Sequence, residues 1–332
     1  MGEKHIVCPF DWAEAFRKQG WGGNITTYDE NEDIPPRAAA DALCGVLSDL
    51  GLEGGQIGVD TMRVSELFIR LLTKRLPAAD WVPCDDLLNR LRIVKTQDEV
   101  KLLEEAAKQS DRGIIGALNH LEGTVDTLGY TVAEFSERIR VHIGEYGGSG
   151  VGHLATTQGS QAQLHYAPQR GEFAQGNLVR MDVTNHYRGY WSNAGRMAVI
   201  GDPDEAQARA YRDNLVLKMA AEERLRPGEH CRGVFEAVIR ASRENGVRLW
   251  SEVGVGHGLG VSHREPPYVN RDDGTRLEPG MVLVLNIYTF GPELELIHSQ
   301  DMYEIVEDGS RKLSWYRAWD ELYTVRGLRA RH

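Results

Sequence analysis

Over the first 95 or so residues, short β-like apolar runs alternate with segments of helical period. Residues 5–10 (HIVCPF), 24–28 (NITTY), 56–60 (QIGVD) and 81–83 (WVP) carry the β-branched and aromatic content of strands. Between them, 36–50 and 64–76 repeat apolar side chains every three to four positions, which predicts amphipathic helices. The alternation predicts a small layered α/β domain over 1–95.

The texture then changes. Thr96 with Glu99, and Thr131 with Glu134, have the spacing of capping boxes, in which each residue satisfies a backbone donor that the helix leaves open. After the first box, Val100, Leu103, Ala107, Ile114 and Leu118 share one helical face. After the second, Phe135, Ile139 and Ile143 do the same, and the glycines of 147–152 let the chain turn. Strands are predicted over 178–184, 195–200, 281–290 and 302–306, with helices over 204–225 and 232–245. Helices followed by mostly non-alternating strands predict an α+β domain over 96–332.

Composition narrows the function classes. The chain has 332 residues, 41% hydrophobic and 26% charged, so it can bury a substantial core. With 49 acidic and 38 basic residues the net charge is −11, which argues against nucleic acid or an anionic membrane surface as partner. No run approaches the roughly 18 apolar residues of a membrane helix, and the N-terminal residues lack the pattern of a signal peptide. Cys8, Cys44, Cys84 and Cys231 form no CxxC pair, so free thiols in a reducing cytoplasm are expected.

Six of the 11 histidines lie between 153 and 263, which invites a metal or acid–base reading. His153, His186, His230 and His298 read as background histidines, whereas His165 precedes a turn and His257 sits among alternate glycines that allow backbone and ligand to approach. GxSxG, HExxH and GxxxxGK[ST] do not occur, and the glycine run at 254–260 leads into prolines rather than a helix.

These residues carry a resemblance. The second domain resembles the pita-bread fold of the creatinase, aminopeptidase P, prolidase and methionine aminopeptidase superfamily. Its markers occur in order: Leu164-His165-Tyr166, Asp182 followed by Gly189-Tyr190-Trp191-Ser192-Asn193, Gly256 to Gly260, Glu265-Pro266-Pro267, and Leu277 to Val282. The stretch 91–99 resembles the family's hinge, and the first domain resembles a shortened creatinase-type N-terminal domain.

Metallopeptidases of the family hold two metal ions with two Asp, one His and two Glu. The resemblance places these ligands at Asp182, Asn193, His257, Asn286 and Gln300, so three of the five positions are amides. Neutral amides do not offset the charge of divalent ions, so no dinuclear centre and no cofactor are expected, leaving room at most for a single weakly held ion at Asp182 and His257. The amides instead suit a neutral or anionic ligand. The family's second histidine falls on Arg264, a permanent cation suited to carboxylates unless it pairs with Glu265 or Asp182.

Creatinase hydrolyses a C–N bond without metal, and its catalytic histidine matches His165. The resulting expectation is a metal-independent hydrolase acting on a small polar, carboxylate-bearing substrate. His165 would be the general acid/base, Glu265 and Asp182 would assist it, and Asn193, His257, Arg264, Asn286 and Gln300 would position the substrate. Three alternatives stay open: an Xaa-Pro metallopeptidase, a lyase on the same fold, and a non-catalytic binding module. The resemblance further implies a homodimer.

Overall fold

The computed structural model describes residues 2–31, 35–124, 130–148, 150–158, 171–250, 253–314 and 319–327, with backbone alone over 152–158. The chain forms two compact units, Met1–Leu91 and Arg92–His332.

In the first unit, β1 (His5–Pro9) pairs in parallel with β2 (Asn24–Tyr28), and β3 (Gln56–Val59) pairs in parallel with β4 (Asp80–Pro83). Helix α1 (Ala13–Lys18) follows β1, and α2 (Pro35–Asp49) and α3 (Glu66–Arg75) bury Ala40, Cys44 and Leu72 against one another. Ser65 starts α3 by accepting from the Phe68 N–H. Residues 85–93, part of which read as a hinge, form α4 (Asp85–Ile93), opened by two aspartates at its positive end.

The second unit begins with α5 (Gln97–Thr124) and α6 (Val132–Glu145), and both capping boxes form as the sequence predicts. A nine-stranded sheet follows, in the order β5 (Gly150–Gln158), β6 (Leu178–Tyr187), β7 (Tyr190–Ile200), β11 (Leu296–Val306), β10 (Val282–Phe290), β8 (Gly254–Gly258), β9 (Glu265–Asn270). Along this path every pairing is antiparallel; β12 (Gly309–Lys312) adds to β11, and β13 (Tyr323–Val325) lies parallel to β7. Helices α7 (Glu205–Glu222) and α8 (Cys231–Asn245) connect β7 to β8.

Successive side chains on a strand face opposite sides of a sheet, and this period sorts the chemistry. Val179, Met181 and Val183 of β6 pack with Ile114, Leu118, Phe135 and Ile139 of α5 and α6. Leu283, Leu285 and Ile287 of β10 pack with Leu217, Val234, Phe235 and Val238 of α7 and α8. On the same helix-facing side lies a buried charge cluster: Arg196 bridges Asp111 (2.8 Å) and Asp301 (3.0 Å), and Lys218 reaches Asp301 at 2.7 Å. Burial would raise the Asp301 carboxyl, but Lys218, Arg196 and Lys312 overcome it and hold the group well below the ordinary carboxylate range. All four cysteines are free. Among the described residues no helix is long and apolar enough to cross a membrane.

Strands β8 and β9 differ from expectation. The glycines at 256 and 258 serve approach of backbone to backbone: a Cβ at Gly258 would sit 2.5 Å from the Pro266 carbonyl oxygen, and one at Gly256 would collide with that of Val284. Pro266 and Pro267 lie in β9, the end strand of the path, where missing N–H groups interrupt no inner ladder.

Candidate functional site

The register brings the sequence-selected residues to the face opposite Val179, Met181 and Val183 of β6 and Leu283, Leu285 and Ile287 of β10; on β10 this face also carries Val282 and Val284, which pack with Val100, Leu103 and Ala107 of α5. Asp182 lies opposite Gly195, Gly195 opposite Gln300, and Gln300 opposite Asn286. Asn193 pairs with Thr184 two places along β6, and His257 lies opposite Val284 two places along β10. Directly opposed residues share a face, so Asp182, Asn193, His257, Asn286 and Gln300 belong to one surface.

Three residues that the motifs did not single out complete it. Arg180, two places before Asp182, donates from Nη1 to Asp182 Oδ2 at 3.2 Å. The Tyr288 hydroxyl donates to the same oxygen at 2.8 Å. His298 lies flat against the Tyr288 ring, with centroids 4.0 Å apart and planes 11° from parallel, and its Nε2 donates to Asn286 Oδ1 at 2.8 Å. Burial pushes His298 down to about 3, against the pull of Asp182 and with help from Arg180 and Arg196, so the ring is neutral near pH 7. Burial also raises the Tyr288 phenol well above its usual value, reinforced by Asp182, which keeps the hydroxyl a donor.

His257 borders a cavity of about 270 Å³ together with Trp250, Arg264, Tyr268, Asn286 and Tyr288. Its Nδ1 donates to the Gly258 carbonyl at 2.9 Å, leaving the Nε2 lone pair as acceptor. Burial pushes its pKa down to about 4; that hydrogen bond opposes the shift, and Arg264 and His263 add to it. Arg264 is exposed, with its guanidinium 5.7 Å from the centre of the Tyr268 ring. Neither structural partner open to it in the sequence holds it: Asp182 binds Arg180 and Tyr288, and Glu265 binds Lys95.

Glu265 sits at the head of β9, with Oε1 2.8 Å from Lys95 Nζ in an ion pair whose two side chains are 6% and 2% exposed. Its Oε2 has no hydrogen-bond partner among the described residues. The Lys95 ammonium is lowered by burial against the opposing attraction of Glu265. His165 lies outside the described residues.

The donor set does not fit a pair of divalent ions. Asn193, Asn286 and Gln300 supply neutral oxygens, and the buried Asn193 Oδ1 and Gln300 Oε1 have no hydrogen-bond partner among the described residues. The one remaining carboxylate, Asp182, engages Oδ2 with a guanidinium and a phenol. A dication bound at that oxygen would meet the Arg180 charge at close range, a repulsion of several kcal/mol, roughly, at an effective dielectric near 20. Among the described residues no group of three or more His, Cys, Asp and Glu side chains is placed to hold a metal ion.

A small α/β unit followed by an antiparallel sheet backed by paired helices, with its polar site on one sheet face, defines a creatinase-type N-terminal domain joined to a pita-bread domain. The profile "Metallopeptidase family M24" matches residues 101–307, and "Creatinase/Prolidase N-terminal domain" matches 1–94. The chain belongs to metallopeptidase family M24, a family of hydrolases. It is similar to an Xaa-Pro dipeptidase of Pyrococcus horikoshii, 25% identical over 250 residues that cover 74% of this chain and 70% of that protein. A putative dipeptidase, YkvY, of Bacillus subtilis is 25% identical over 318 residues, covering 95% of this chain and 84% of the relative. The solved X-Pro aminopeptidase of Thermotoga maritima MSB8 superposes with a TM-score of 0.83 at 17% identity, covering 97% of this chain and 88% of that one.

Proposed function

We propose that this protein hydrolyses the C–N bond of a small substrate bearing a carboxylate, and that Xaa-Pro dipeptides are the substrate class. The observation that carries the reading is Arg264, a permanent cation at the rim of a cavity bordered by neutral His257, Asn286 and Tyr288. An Xaa-Pro dipeptide has the matching chemistry: one amide bond, a free carboxylate, and a ring that packs against aromatic side chains such as Trp250 and Tyr268. The names of the relatives favour this peptidase reading over a creatinase-like one.

In the proposed reaction Arg264 holds the substrate carboxylate, His257 positions the substrate by accepting a hydrogen bond at Nε2, and the amide N–H groups of Asn193, Asn286 and Gln300 position the substrate and stabilise charge developing on its carbonyl oxygen. A water oxygen bonds to the carbonyl carbon, the C–N bond breaks, and the leaving nitrogen takes up a proton. By the family resemblance His165 is the acid/base that moves these protons, Asp182 assists through the Tyr288 hydroxyl, and Glu265 is held ready by Lys95. We further infer that the enzyme acts without a metal ion or cofactor, as a homodimer in the cytoplasm; the amide ligand positions and the free cysteines support the first and last of these.

The test is metal analysis of the purified full chain, paired with hydrolysis of Ala-Pro, Met-Pro and N-acetyl amino acids with and without EDTA. Turnover unaffected by EDTA, in protein with far less than one metal ion per chain, is the expected result. Stoichiometric metal with EDTA-sensitive turnover would replace the metal-free part of the reading with a metallopeptidase. No turnover of any carboxylate-bearing amide would overturn the hydrolase and leave a binding module. A monomer by light scattering would remove the dimer.

A further inference from the structure

The feature least expected of a metallopeptidase site is a buried arginine bonded to its one surviving carboxylate. Arg180 and Asp182 are neighbours on the same face of β6, and their side chains are 2% and 7% exposed. A buried carboxylate is retained only with a compensating charge close by. Among relatives that bind metal, the ions provide that charge; here Arg180 provides it from within the chain. The Asp182–Arg180 pair sums to zero, and the three neighbouring positions are amides, so among the described residues this set demands no cation from solution.

We propose that Arg180 is an internal replacement for the metal ions: it neutralises Asp182, holds it where it orients the Tyr288 hydroxyl, and makes the pocket refuse divalent cations. This rests on the reading that the enzyme works without metal, and it goes further by assigning the refusal to one residue. The amides alone would leave a weak site at Asp182 and His257. The guanidinium closes it, because an incoming dication must displace a hydrogen-bonded cation whose charge cannot be removed by deprotonation. The Arg180 side chain is 2% exposed and bonded to Asp182, so its role is positioning and charge balance.

The experiment measures Mn²⁺ affinity by electron paramagnetic resonance, with Zn²⁺ retention by elemental analysis as a second readout. Wild type is compared with a restored chain carrying Asn193→Asp, Asn286→Glu and Gln300→Glu, and with that chain bearing Arg180→Leu or Arg180→Lys. The expected result is no tight Mn²⁺ binding by wild type, and binding by the restored chain at least tenfold weaker than after the additional Arg180→Leu change. Arg180→Lys should behave like arginine, since it keeps the charge; a purely structural role would not follow charge in this way. If the leucine variant does not fold by circular dichroism, Arg180→Gln removes the charge while keeping a donor for Asp182 and gives the same comparison. Equal affinities of the restored chain with and without Arg180, in a metal-free wild type, would overturn this inference and leave the metal-free reading standing. Stoichiometric Mn²⁺ or Zn²⁺ on wild type would overturn both.

Discussion

His298 occupies the space that a side chain at Gly195 would need. A Cβ built on Gly195 would fall inside van der Waals contact of the His298 ring and 2.6 Å from Cβ of Gln300. The glycine therefore lets the imidazole lie against Tyr288 and donate to Asn286. Gly195→Ala should displace the ring and cost about 1–3 kcal/mol of stability, the usual range for overpacking. It should also weaken ligand binding more than the stability loss accounts for. Urea melts and calorimetric titration with Ala-Pro or its hydrolysis products check this, and unchanged binding would mean that His298 does not shape the pocket.

Removing the Arg264 charge should affect substrates according to their own charge. A hydrogen bond to an ionised group contributes about 1.5–3 kcal/mol, so Arg264→Gln should raise KM for carboxylate-bearing dipeptides roughly 10- to 100-fold. The corresponding C-terminal amides should be little affected. Equal losses for acid and amide would show that the side chain acts through packing.

The cluster behind the sheet should govern stability. Asp301→Asn leaves Lys218 and Arg196 without the carboxylate that they share. Breaking a buried pair of this kind costs about 3–5 kcal/mol. The denaturant midpoint should fall accordingly, and a loss below 1 kcal/mol would mean that water enters the cluster on mutation.

Alkaline pH should destabilise the fold through Cys231. Burial, assisted by Asp273, pushes this thiol up to about 12, so the folded state keeps its proton where the unfolded chain has lost it. The stability from this group is complete below the unfolded value of about 8.5 and is lost as pH rises from there toward 12, by roughly 1 kcal/mol per unit. Unfolding free energies between pH 8 and pH 11 should show that slope, and Cys231→Ala should flatten it.

The long helices were legible because their signals are local. Thr96 with Glu99 and Thr131 with Glu134 announce helix starts within four residues, and the structure contains both boxes. Strands β8 and β9 were not legible, since glycine and proline argue against a strand; the close approach of β8 to β10 and β9, and the end position of β9, explain them. The five family positions could be carried over by motif. Arg180, Tyr288 and His298 could not, because they meet only through the pairing of β6, β7, β11 and β10. Nothing in the spacing of 180, 288 and 298 encodes that pairing, and His298 looked like any other histidine.

Alternation along β11 places Gln300 among the site residues and its neighbour Asp301 among the ion pairs that fasten the helices. Adjacent letters of the chain thus answer to different physical demands. Position 300 is open to exchange of carboxylate for amide, because none of the described residues bonds the Gln300 amide oxygen. Insertion or deletion of a single residue would send a carboxylate into the pocket and an amide among the lysines at one stroke. A substitution at position 300 therefore reaches the site, and one at 301 reaches the ion pairs behind the sheet, while the register that β11 shares with β10 and β7 stays fixed.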